Sequence, residues 1–166
     1  METKKVLIPT DFSVKSLELV RKTVEDNKNV LLEIVLLHGM HLSNSITDLL
    51  FFSKSRMIKE LQTEEFTEAT NVLKNKYPIK LNSLYVDLIT SRTKAYFLNY
   101  LEAANIDEIV VPQKGFLDFK KAKGFDTLSL LDTCGIPCSY MNFDEEMEGV
   151  EVGKAQFANV FLTGIK

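Results

Sequence analysis

The chain alternates short runs of branched apolar residues with longer stretches whose apolar positions recur at helical spacing. The first run, Lys5-Val-Leu-Ile-Pro-Thr10, is continuously apolar and is stopped by a proline and the turn former Asp11. It reads as a strand buried on both faces. Ser13 then suits an N-cap, and Val14, Leu17, Val20 and Val24 repeat at helical spacing. After the polar break 25–29, Val30 to Met40 forms a second buried strand that ends at His38-Gly39. Ile46, Leu49, Leu50, Met57, Ile58, Leu61, Phe66, Ala69, Val72 and Leu73 then predict one long helix or two shorter ones, with the period blurred over 51–56.

Pro78 marks the next boundary, and Ile79 to Asp87 alternates apolar with polar, as expected of an edge strand. A loop over 88–92 leads to a helix through Ala95, Phe97, Leu98, Leu101 and Ala104, ending near Asn105. Ile109-Val-Val-Pro112 repeats the strand-and-proline pattern of the first strand. A loop rich in lysine and phenylalanine follows over 113–123, then a fourth helix over 124–132 through Phe125, Leu128 and Leu131, then a fifth strand from Ile136 to Met141.

Strands alternating with helices at this spacing predict right-handed crossovers. The expected fold is therefore α/β, a doubly wound five-stranded parallel sheet in the order 3-2-1-4-5 with helices on both faces. Residues 1–141 account for that domain. Residues 142–166 form a C-terminal extension that opens with Asp144-Glu-Glu and closes with the apolar stretch Phe157 to Leu162. The extension either packs on its own domain or contacts a second subunit, since exposed apolar patches mark interfaces.

Composition narrows the function. At 166 residues the chain is long enough for one self-sufficient core, and 45% apolar with 26% charged residues is ordinary for a folded domain. A net charge of -3 gives no electrostatic footprint for a polyanion, so nucleic acid is not an expected partner. No apolar stretch approaches the length of a membrane span, and the run after Met1 is too short for a signal-peptide core. Cys134 and Cys138 match neither a disulfide framework nor a zinc spacing and read as small core residues. Two free thiols fit a reducing cytoplasm.

In an open parallel sheet a ligand binds beyond the carboxyl ends of the strands, where strand order reverses. That rule selects Pro9-Thr10-Asp11 and the segment 112–127, which face each other across a crevice of nucleotide size. His38 and His41 lack a third ligand at suitable spacing for a metal, and no serine lies in a nucleophile elbow. A receiver-like phospho-acceptor domain would need an acidic cluster and a lysine after the last strand. Only Asp11 and Asp87 answer the first requirement, and Met141-Asn142 does not answer the second.

The residues Lys5-Val-Leu-Ile-Pro-Thr-Asp-Phe-Ser13, Asp107-Glu-Ile-Val-Val111 and Ile136-Pro-Cys138 resemble, in that order, the first strand with its acidic turn, the fourth strand and the start of the last strand of the universal stress protein family. The resemblance covers about Lys4 to Met141. It implies a homodimer, Asp11 on the base or ribose side of an adenine nucleotide, and Pro9 and Val111 beside the adenine. In family members that bind ATP the loop after the fourth strand reads Gly, two residues, Gly, nine residues, Gly, then Ser or Thr.

Here Pro112 stands at the first glycine position, Gly115 at the second, and Gly124 follows after only eight residues, with Phe125 in place of the hydroxyl and Asp126 beside it. Such loops hold phosphate through backbone N–H groups, and Pro112 has none. Lys114, Lys120, Lys121 and Lys123 could instead neutralise phosphate, or simply be solvated. Two readings follow. One is a regulatory or interaction protein of the universal stress type, with weak or absent binding of ATP or AMP and no catalytic turnover. The other is an ATP-binding protein with slow ATPase activity that uses the lysine-rich loop 114–123.

Overall fold

A computed structural model of the chain describes residues 1–132 and 134–143. Most of the C-terminal extension, and with it the question of the dimer contact, lies outside the described residues. Five strands form one sheet in the order β3-β2-β1-β4-β5, and every pairing is parallel. The strands are β1 (Glu2–Pro9), β2 (Val30–Gly39), β3 (Leu81–Ile89), β4 (Glu108–Pro112) and β5 (Cys138–Met141). The fold class and strand order are those expected from the sequence, and the third strand does lie at an edge.

The period-two geometry of a strand sends alternate side chains to opposite faces. Val6, Ile8, Leu32, Ile34 and Leu36 therefore join one buried cluster with Leu19, Val20 and Val24 of α1 (Glu18–Asp26) and Phe66, Ala69 and Leu73 of α4 (Glu64–Lys76). Leu7, Val35, Leu37 and Ile109 face the other way, onto Phe97 and Leu101 of α5 (Lys94–Ala104) and Leu130 and Leu131 of α6 (Leu128–Leu131). The three inner strands read as continuous apolar runs because both their faces are covered.

Two segments depart from the expected elements. The stretch after β2 forms three helices, α2 (Ile46–Leu50), α3 (Lys54–Leu61) and α4, not one or two. Ser45, Ser53 and Thr63 each accept a hydrogen bond from a backbone N–H three residues on, so each restarts a helix. The helix expected over 124–132 shrinks to α6. A turn of 3-10 helix at Phe119–Ala122 precedes it, and Gly124 and Phe125 are taken up by contacts with the end of β2.

Candidate functional site

The site is built where β1 and β4 lie side by side and their following loops diverge. After Pro9 the chain makes a tight turn in which Phe12 adopts φ +63, a left-handed conformation that is costly for a bulky aromatic. Burial and hydrogen bonding hold it there. Phe12 is 5% exposed, packs edge-on against His38 and Phe66, and its N–H donates to Thr10 Oγ1 at 3.1 Å. Thr10 is itself buried, within 2.8 Å of the Ser16 hydroxyl.

Asp11 is half-buried and fully engaged. Its Oδ1 accepts from the Ser13 N–H at 2.9 Å and from the Ser13 hydroxyl, and its Oδ2 accepts from the Asp118 N–H at 2.9 Å. One carboxylate therefore both steadies the start of the first helical turn and pins the loop after β4 onto the loop after β1. A second clasp is His38, which is fully buried at the end of β2. Its ring nitrogens lie 3.0 Å from the Thr10 carbonyl oxygen and 3.1 Å from the Ala122 carbonyl oxygen.

A third clasp runs between backbones. The Phe125 N–H donates to the Gly39 carbonyl at 3.0 Å, and Met40 forms an antiparallel bridge with Gly124. Side-chain shape demands both glycines here. A Cβ on Gly39 would sit 2.4 Å from Phe125 Cε2, and one on Gly124 would sit 2.5 Å from His38 Cε1 and 2.8 Å from the Gly39 carbonyl oxygen. Phe125, 3% exposed, fills the space between α5, α6 and the end of β2, with the Arg92 guanidinium 5.2 Å from its ring centre.

Of the crevice residues singled out from the sequence, Asp11 and Gly115 face an open cleft of about 720 Å³, with His41, Lys121 and Lys123 also on its wall. Pro9, Val111 and Pro112 are buried at the ends of β1 and β4, and Thr10 beneath the turn. Gly124 and Phe125 belong to the clasp with β2, and Asp126 is exposed and accepts from the Leu128 N–H at 2.8 Å. Gly115 has φ +86 and no atom within 4 Å of where a Cβ would be, so its loop tip is open. The Gly124 N–H, which a phosphate loop would offer to a ligand, donates to the Phe119 carbonyl at 2.9 Å.

Lys15, Lys121 and Lys123 line the cleft alongside Asp11, Glu60 and Asp118, so charges of both signs face the same volume. Met40, Met57, Leu61 and Phe116 form its apolar wall. The Lys15 ammonium lies over the Phe116 ring at 4.6 Å, and Phe116 in turn stacks on Phe143. Among the described residues no group of three or more His, Cys, Asp or Glu side chains is placed to hold a metal. Sequence reasoning missed Phe12 and Asp118, because nothing in the residue types announces the positive φ of Phe12 or a contact of Asp118 with a residue 107 positions earlier.

No protein-family model matches the sequence and no curated protein matches it, so similarity is to be sought in the chain's course. A protein of the universal stress protein family from Burkholderia pseudomallei follows that course with a TM-score of 0.51 at 10% identity, over 83% of this chain and 95% of that one. The chain has the universal stress protein fold. A universal stress protein family member from Arabidopsis thaliana with AMP bound is similar at a TM-score of 0.44 and 11% identity, over 89% of this chain and 97% of that one. In a universal stress protein fold with this strand order the reversal point lies between β1 and β4. Here the three clasps cross that point, and the open cleft lies beside it, under α3.

Among the described residues no helix is long and apolar enough to cross a membrane.

Proposed function

We propose that the protein is a regulatory or interaction protein of the universal stress type that binds adenine nucleotides weakly or not at all and catalyses no turnover. The observation that carries this reading is the use of the site by the chain itself. Asp11 holds Asp118, the Gly124 N–H holds Phe119, and Phe125, at the sequence position where the resemblance expects a hydroxyl, is buried. A nucleotide would have to displace contacts already satisfied, at about 0.5–1.5 kcal/mol for each neutral hydrogen bond and more for those to a carboxylate.

An interaction role is favoured by α2 and the residues flanking it. Ile46, Leu50 and Phe51 are 76%, 77% and 74% exposed, with Leu42 and Leu49 beside them, an apolar surface that marks a contact face more often than a solvated one. Assembly as a homodimer in a reducing cytoplasm belongs to the same proposal.

The second reading, a slow ATPase, is favoured by one feature, the mixed cleft with Lys121 and Lys123 on its wall. Lys114 and Lys120 do not line it. Thermal unfolding with ATP, ADP and AMP separates the two. The first reading expects a rise of at most about 2 °C at millimolar nucleotide. A large rise abolished by Lys121→Ala with Lys123→Ala would favour the ATPase.

A further inference from the structure

Cys134 and Cys138 take no part in the crevice, yet the fold brings them to one atom. Residues four apart in extended chain would be separated by roughly 13 Å. Here the chain bends between them, with Gly135 at φ +74, a left-handed turn that suits glycine. As a result the Cys134 thiol donates to the Leu131 carbonyl at 3.1 Å, and the Cys138 thiol reaches the same oxygen at 3.8 Å as well as the Ile136 carbonyl at 3.3 Å. Both thiols are free and half-buried.

We propose that Cys134 and Cys138 form a reversible redox pair, closing an intramolecular disulfide when the protein meets a peroxide. Access assigns the order of events. Cys134 lines an open groove with Leu98, Glu102 and Asn105 and Cys138 does not, so Cys134 is assigned as the first to meet a small oxidant. Its thiolate attacks one peroxide oxygen, the O–O bond breaks, and sulfenic acid and water form. The Cys138 sulfur then attacks the Cys134 sulfur, the S–O bond breaks, and the second water leaves with the two thiol protons accounted for. Two thiols and one hydrogen peroxide give one disulfide and two waters.

Burial, then the neighbouring Cys134 and Asp132, push the Cys138 thiol up from its ordinary range. It stays protonated near neutrality, so closure speeds up as pH rises. The bridge would remove both thiol donors from the carbonyl of Leu131, the last residue of α6, and tie that end of the crevice loop to the first residue of β5.

The test treats the intact chain with hydrogen peroxide, quenches with an alkylating agent and maps the peptides by mass spectrometry. The expected product has lost two hydrogens, carries a Cys134–Cys138 link, resists alkylation and is restored by dithiothreitol. Closure in the folded chain should outpace closure in urea by at least about tenfold, because folding supplies the proximity. Two alkylated cysteines after oxidation, a bridge only between chains, or equal rates folded and unfolded would each overturn the proposal. The wild-type comparison needs no variant, and Cys134→Ser and Cys138→Ser should each abolish the intramolecular link.

Discussion

At the scale of residues, side chains of the chain itself satisfy the polar groups around the crevice. Asp11→Ala deletes the acceptor for three donors, including the Asp118 N–H, and should cost about 2–3 kcal/mol in urea unfolding while speeding amide exchange over 113–123. A solvent-facing Asp11 would give well under one. Gly124→Ala places a Cβ against both a histidine ring and a backbone oxygen that cannot step aside, so a loss of about 1–3 kcal/mol is expected. Burial, together with the hydrogen bond to Glu25, raises Tyr77 to about 12. The unfolded chain releases that proton near pH 10, so stability is unchanged below about pH 10 and falls as pH rises toward about 12. Urea midpoints across that range should show the fall in the wild type and a shallower one in Tyr77→Phe.

At the scale of elements, what was legible in the sequence follows from which contacts are local. The three inner strands could be read because Val6 to Ile8, Ile34 to Leu37 and Ile109 to Val111 are apolar on both faces, as a sheet covered by helices on both sides requires. The location of the crevice could be read as well, since Pro9-Thr10-Asp11 and Pro112 mark strand ends. Its occupancy could not. Whether Phe125 points outward or inward is settled by Gly39 and Arg92, and nothing in the spacing of 112–127 encodes those partners. The same limit explains α6, since the pull of Gly39 and Met40 on 124–125 overrides a helical period too short to resist it. Phe125→Ala should cost about 3–5 kcal/mol by chemical denaturation, the range for an emptied aromatic site. A cost below one would mean that the ring is not part of the core.

At the scale of the whole molecule, one sheet carries two surfaces of different character. At the crevice, Asp11, His38 and the Gly39–Phe125 pairing clasp the strand-end loops together beside the open cleft, while α2 leaves Ile46, Leu50 and Phe51 to solvent. Under the proposed reading, the exposed apolar face serves contact with another surface. Light scattering on the full chain and on a version ending after Phe143 tests the assembly. A dimer that becomes a monomer on truncation would place the extension in the contact, and an unchanged mass would remove it.

The central proposal is that contacts within the chain take up the groups an adenine nucleotide would need. Calorimetric titration of ATP into the intact protein tests it most directly. The account predicts no measurable heat of binding, or a dissociation constant in the millimolar range. A micromolar constant with one nucleotide per chain would contradict it.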